Sequence, residues 1–438
     1  MTMRLRSLAA PALALALAGC MVGPDYQRPS VALPATFPDA NAAASPADAV
    51  QHDWWTLFND PLLNEVVAAA LADNTDVQRA IARIEETDAN LRAVNAAFLP
   101  EVDLGAGANR TGYSGTVAVP SSAPSVRNDL RFALSASFEI DFWGKLRRSA
   151  ETARAQTIAS RYAKDVVMLS LAGLTTQTYF SLRSLDAQIA TTRATLATRE
   201  DGVNLVRRRA DAGYASDLDL RQAETTRSDA AAQLSELTRQ RAIALHQLGT
   251  LTGRLAIAIP PGNLATLPLP ALPPPGLPSA LLERRPDLRL AEQELVAANA
   301  RIWAIGAGFT VPLFDAGRLA ALADAERARY KQTVATYNQV TQTAFREVAD
   351  ALTNVAQIAI TEAALQASVT SAREALRLAT RRYEAGYSGF LDVLDAQRAT
   401  NLTELALIRN RQVLLASDVD LMKALGGGWY AAEPTAAK

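Results

Sequence analysis

Two periodicities divide this chain. Over residues 99–142 apolar and polar positions alternate. Val102, Leu104, Ala106 and Ala108 interleave with Glu101, Asp103, Gly105 and Gly107. Leu130, Phe132, Leu134, Ala136, Phe138, Ile140 and Phe142 interleave with Arg131, Ala133, Ser135, Ser137, Glu139 and Asp141. A period of two places successive side chains on opposite faces of a strand, so the segment predicts a β-hairpin with one apolar face. A soluble, half-buried hairpin carries the same pattern. Elsewhere the pattern is helical, over roughly 61–98, 145–211, 216–252, 279–307, 318–385 and 388–425. The two longest stretches contain no proline, as an unbroken helix requires.

The longest stretches carry a partner-seeking stripe. Tyr162, Val166, Leu169, Gly173, Thr176 and Phe180 recur at four-three spacing, and the stripe shifts to Leu182, Leu185, Ile189, Thr192 and Leu196. This is coiled-coil spacing, with small residues that let helices approach closely. A helix over 145–211 would be about 100 Å long and cannot stand alone in water. An ordinary helical bundle is the plainer alternative. The lengths favour long antiparallel coiled-coil hairpins.

A repeated motif marks the hairpin ends. Ala212-Gly213-Tyr214 precedes Leu218-Asp219-Leu220, and Ala385-Gly386-Tyr387 precedes Leu391-Asp392-Val393, 173 positions later. Each copy lies between a long and a shorter helical pattern, so the chain is internally duplicated with glycine at each tip. Ser216 and Ser388 are placed to cap the returning helices. Residues 253–278 hold eight prolines and form the connector between repeats. The expected organisation is a signal peptide at 1–19, an extended segment at 20–60, a first repeat at 61–252, a second at 279–425 and a tail at 426–438.

Composition narrows the function classes. Arg4 and Arg6 precede an apolar run that ends in Leu17-Ala18-Gly19-Cys20, the layout of a signal peptide too short to span a bilayer. Cys20 is the only cysteine, so no intrachain disulfide forms. Its position resembles a bacterial lipobox, which implies a lipidated N-terminus; Met21, rather than aspartate, resembles the pattern sorted to the outer membrane. A net charge of −1 gives no field that favours nucleic acid. The two histidines, His52 and His246, lie in different segments without cysteine or clustered carboxylates at ligand spacing. Glu85-Glu86 and Glu292/Glu294 lack the Glu-x-x-His pairs of a di-iron bundle, and no Gly-x-Ser-x-Gly or phosphate-binding glycine loop is present. Neither an enzyme nor a cofactor is expected.

Motifs spread along the chain carry a family resemblance. They are Val22-Gly23-Pro24-Asp25-Tyr26-Gln27-Arg28-Pro29, Trp54-Trp55-Thr56-Leu57-Phe58, Phe138-Glu139-Ile140-Asp141-Phe142-Trp143-Gly144 and Leu281-Leu282-Glu283-Arg284-Arg285-Pro286-Asp287. Pro312-Leu313-Phe314-Asp315-Ala316-Gly317-Arg318, Leu391-Asp392-Val393-Leu394-Asp395-Ala396-Gln397-Arg398 and Ala424-Leu425-Gly426-Gly427-Gly428-Trp429 complete the set. The chain resembles the TolC family of outer-membrane efflux proteins, most closely the lipoprotein branch that serves resistance-nodulation-division pumps. The resemblance implies a mainly α fold with a small β part: a homotrimer with a helical tunnel and a β-barrel built from four strands per protomer. It also implies a periplasmic membrane-fusion adaptor and an inner-membrane pump as partners, and a passive exit duct for drugs or other small molecules.

The resemblance assigns site residues. Gly213, Tyr214, Gly386 and Tyr387 would dock the adaptor at the tips. Tyr383, Asp392 and Asp395 would form the periplasmic gate, with Tyr383 as an aromatic latch and the aspartates ringing the aperture; a solvated helix face is the plainer reading of Asp392 and Asp395. Ser388 stands where one branch carries a latch arginine.

One departure shows in the repeat spacing. Aligning Asp76 with Asp287 gives an offset of 211, and aligning Gly144 with Gly317 gives 173, so the second repeat is 38 residues short between these anchors. The loss falls where the second hairpin belongs, near 307–316, leaving about two full strands per protomer. A lipid-anchored helical scaffold that binds the adaptor without conducting is therefore the alternative.

Overall fold

The computed structural model describes residues 23–37, 50–112, 126–271, 273, 278–304 and 314–428. Cys20, the signal peptide and most of the shortened second hairpin segment lie outside them. The helices are α1 (Pro61–Asp73), α2 (Thr75–Ala96), α3 (Lys145–Asp211), α4 (Asp217–Leu251), α5 (Leu281–Arg284), α6 (Pro286–Trp303), α7 (Arg318–Glu384) and α8 (Phe390–Ala424). Strands β1 (Glu101–Gly112) and β2 (Val126–Ser137) form one antiparallel hairpin. The duplication is visible in the lengths: α3 and α7 each have 67 residues, and α4 and α8 each have 35.

The pattern over 61–98 resolves into two helices because of Asn74. Asp60 caps α1 by accepting from Leu62 N and Leu63 N at 3.0 and 3.3 Å, with Pro61 at the first helical position. Asn74 then turns extended; its Oδ1 accepts from Asp76 N at 2.8 Å and its Nδ2 donates to Leu251 O at 2.9 Å. Arg285 makes the equivalent break in the second repeat, extended before Pro286 as pre-proline sterics favour, and its Nη1 donates to Ala424 O at 3.1 Å. Two glycines repeat the match. A Cβ on Gly253 would meet Asp73 O at 2.8 Å, and one on Gly426 would meet Arg284 O at 2.9 Å. Asp73/Arg284 and Asn74/Arg285 follow the offset of 211, while Gly253/Gly426 and Leu251/Ala424 follow 173, so both offsets hold in space.

The chain divides into two compact units, and each draws on both repeats. One contains residues 84–159 and 292–335 with the chain up to Pro29. Here the β-hairpin pairs Val102 with Ala136, Leu104 with Leu134, Ala106 with Phe132 and Ala108 with Leu130, so both strands turn their apolar residues to the same face. That face is open: Leu104, Phe132 and Leu134 are 73–75 % exposed. The alternation continues through Phe138, Ile140 and Phe142, but β2 ends at Ser137. The segment after Gly23 is pinned in the same unit. Arg28 grips Glu292 with two bonds of 2.6 and 2.7 Å, and buried Arg148 donates to Gly23 O at 2.9 Å.

The other unit holds residues 30–83, 160–291 and the chain from Thr336 onward. Its main core joins Trp54, Phe58, Phe180, Leu182, Leu248, Leu288, Val348, Leu415 and Met422. From Leu171 to Gln188, α3 is buried nearly all round, which exceeds a single coiled-coil stripe. Polar groups accompany that burial. Asp186 accepts from Arg241 at 2.5 Å, Arg183 at 3.3 Å and Gly262 N at 3.0 Å, and Arg183 also donates to Pro260 O at 2.7 Å. This charged knot fixes the proline-rich connector against α3 and α4, because an unpaired buried charge costs several kcal/mol.

Candidate functional site at the helical tips

The two tips share one backbone solution. Gly213 N donates to Ala210 O at 2.9 Å and Tyr214 N to Arg209 O at 2.7 Å. Gly386 N donates to Tyr383 O at 3.0 Å and Tyr387 N to Arg382 O at 2.8 Å. This double closure is a Schellman motif, which needs a left-handed residue, and Gly213 and Gly386 take φ of 77° and 78°. Arg208, Arg209, Arg381 and Arg382 lie in the last helical turns, where positive charge complements the helix dipole.

The returning helices start differently. Ser216 caps α4 in a reciprocal box: its Oγ accepts from Asp219 N at 3.1 Å, and Ser216 N donates to Asp219 Oδ2 at 3.2 Å. The expectation that Ser388 caps α8 is corrected. Gly389 occupies the cap position without a side-chain bond, and Ser388 Oγ is buried without a hydrogen-bond partner among the described residues. One residue decides this: in the first tip serine directly precedes the helix, whereas in the second a glycine intervenes.

Side chains at the tips sort into an exposed set and a packed set. Tyr214 and Tyr387 are 86 % and 79 % exposed, with exposed Leu218 and Leu391 beside them in sequence. Below them Val203, Val206, Ala223, Tyr383, Phe390, Val393 and Leu394 form a separate small core drawn from both hairpins. Tyr383 is 9 % exposed; its ring lies 5.3 Å from that of Phe390, and the Arg209 guanidinium carbon sits 4.5 Å from its centroid. Arg209 thus binds α3 of the first repeat to α7 of the second through a cation–π contact. Sequence reasoning missed Arg209, because Arg207-Arg208-Arg209 reads as a solvated basic run.

The aspartates stay on the surface. Asp392 is exposed and makes no ion pair among the described residues, whereas Asp395 pairs with Arg398 at 3.3 Å. Among the described residues no hydrogen bond or ion pair joins Asp392 or Asp395 to Tyr383. No group of His, Cys, Asp or Glu suited to a metal occurs among the described residues.

Known proteins share this architecture. The family model described as outer membrane efflux protein matches residues 66–254 and 299–427. The toluene efflux pump outer membrane protein TtgF of Pseudomonas putida is 33 % identical over 462 residues, covering 95 % of this chain and 96 % of the relative. The cation efflux system protein CusC of Escherichia coli is 31 % identical over 459 residues, covering 95 % of this chain and 97 % of the relative. Both aligned stretches exceed this chain's own 438 residues, so the relatives carry residues that it lacks. The crystal structure of the CmeC outer membrane channel of Campylobacter jejuni superposes with a TM-score of 0.86 at 22 % identity, covering 94 % of this chain and 96 % of that one, which shows the fold. Long duplicated helical hairpins, a membrane-type β-hairpin and these matches have one reading: the chain belongs to the outer membrane efflux protein family and is the outer-membrane channel component of an efflux pump system.

Proposed function

We propose that the protein is a passive, lipid-anchored duct whose helical tips both dock a periplasmic adaptor and gate the passage. Three copies would assemble around one axis, with a lipidated Cys20 anchored in the outer membrane and an inner-membrane resistance-nodulation-division pump supplying the energy. The observation that carries the docking reading is the pair of Schellman-closed tips, which project Tyr214 and Tyr387 into solvent at 86 % and 79 % exposure. Exposed aromatic side chains on rigid turns suit a protein partner. The gate reading rests on Tyr383, held between Arg209 and Phe390, and on the exposed Asp392 and Asp395 of the same hairpin. Around a three-fold axis six carboxylates would gather; the Arg398 partner of Asp395 leaves Asp392 as the stronger contributor.

Two measurements test this reading. Asp392→Ala with Asp395→Ala should raise the time-averaged current through the isolated protein in planar bilayers; an unchanged current would sink the gate assignment. A cysteine at Gly386 should crosslink to the cognate adaptor, and failure at both tips would remove the docking assignment. The 38-residue deficit in the second repeat favours a second reading, an adaptor-binding scaffold that does not conduct. Adaptor crosslinking without drug-susceptibility complementation, in a strain lacking its own duct, would select it.

A further inference from the structure

Arginines in this chain commonly present Nε and Nη2 edge-on to a carboxylate. Arg28 does so to Glu292, Arg239 to Glu236, and Arg285 to Asp287. Arg199 on α3 offers the same edge, and no acid meets it. Its Nη1 donates to Thr226 O on α4 at 2.6 Å, which leaves Nε and Nη2. Arg199 Nε is buried without a hydrogen-bond partner among the described residues. Burial lowers the Arg199 pKa; Asp229 opposes this and Arg398 adds to it. Asp229 is exposed and makes no ion pair with Arg199 among the described residues, and Arg398 is already held by Asp395 at 3.3 Å. A partly buried guanidinium with a free edge calls for an anion, because a planar N–H fork matches two oxygens of one oxyanion.

Arg199 lines a cleft of about 390 Å³ between α3, α7 and α8, together with Arg373, Gln397, Asn401 and Glu404. Arg373 and Glu404 pair at 2.7 Å, so the cleft keeps the positive charge of Arg199. Threonine hydroxyls line much of the rest, and Ala194 and Leu376 are its apolar members. Such a wall does not suit an apolar drug, whose sites are lined mainly by hydrophobic side chains. Thr198 and Thr400 spend their protons on Ala194 O and Ala372 O. Thr195 donates to Asn401 Oδ1 at 3.2 Å, which leaves Nδ2 as the Asn401 donor. We propose that this cleft binds a small, soluble oxyanion of phosphate or carboxylate type, received by Arg199 and hydrogen-bonded by Asn401 and Gln397. Nη2 would meet the first oxygen, and a small turn of the guanidinium would bring Nε onto the second. The bound oxyanion would join α3 of the first repeat to α8 of the second. Arg199 lies 14 positions before Gly213, and Arg373 lies 13 before Gly386, so the site is about 20 Å from either tip along the helices. It depends on neither the docking nor the gating assignment.

The test uses the full chain in detergent, with sodium chloride holding the ionic strength constant. Equilibrium dialysis against radiolabelled phosphate, and separately against radiolabelled citrate, should show saturable binding of at least one of them, approaching one anion per chain. Arg199→Met should weaken that binding at least about tenfold. Arg193→Met, on an exposed residue of α3 outside the cleft, should leave it unchanged. Asn401→Asp should also weaken it about tenfold, since it sets a negative charge in the cleft. The bound anion should slow amide exchange at 190–202 and 397–404 in the unmodified protein. Absence of saturable binding of either anion up to about 10 mM overturns the inference. So does binding that survives Arg199→Met or Asn401→Asp intact. If neither variant folds, the exchange map of the unmodified protein decides, and protection confined to other segments overturns the site.

Discussion

Replacing Asp418 with asparagine should stabilise the protein, and more at alkaline than at acidic pH. Asp418 lies on α8 with 2 % exposure and makes no hydrogen bond among the described residues. Burial penalises its charged form and pushes its pKa up to about 7 from 3.8; Arg411 opposes this and Glu362, itself paired with Arg411 at 3.0 Å, adds to it. A folded-state pKa above the unfolded one means that folding favours the proton. The associated stability is complete below about pH 3.8 and is lost as pH rises through about 7. At 1.36 kcal/mol per unit, the loss approaches about 4 kcal/mol at pH 8 and is under about 2 kcal/mol at pH 5. Asparagine keeps the shape of the neutral acid and does not titrate. Asp418→Asn should therefore melt at a higher temperature than the parent at pH 8, with a smaller advantage at pH 5. Circular dichroism at 222 nm on detergent-solubilised protein reads both midpoints. A variant equal to or less stable than the parent at pH 8 would refute the argument that burial without a partner dominates at this site.

The tips give a paired prediction: Ser216→Ala should cost about 1 kcal/mol and speed amide exchange in the first turn of α4, whereas Ser388→Ala should be neutral because its hydroxyl bonds nothing. Gly428 and Gly386 separate close approach from backbone strain. Gly386→Ala meets nothing within 4 Å and carries only the left-handed penalty of about 1–2 kcal/mol, whereas the Cβ of Gly428→Ala would lie 2.4 Å from Val50 O, so that variant should lose far more folded yield in the membrane fraction.

Local signals were enough for much of this protein. The proline-free stretch over 145–211 is α3, and the Gly-Tyr repeats are the two tips, because an uninterrupted periodicity and an obligatory positive φ are written in single residues. The strand register follows from alternation on both strands. Even the 38-residue deficit was legible, since duplication lets one half of the chain measure the other. The break at Arg285 has a local cause in Pro286, and Asn74 has a local bond to Asp76 N; only the bonds that anchor these breaks, to Leu251 O and Ala424 O, join residues more than a hundred positions apart and were not legible. The contact of Arg209 with Tyr383 was hidden for the same reason.

Sequence by itself therefore determined the elements, their duplication, the tip turns and the shortage of strands, all of which depend on near neighbours or on counting. Tertiary structure decided which helix faces are buried. It wrapped the middle of α3 nearly all round, seated Asp186 between Arg183 and Arg241, and left Asp418 without a hydrogen-bond partner among the described residues. Burial is a property of what surrounds a residue, and a one-dimensional pattern records only the residue itself.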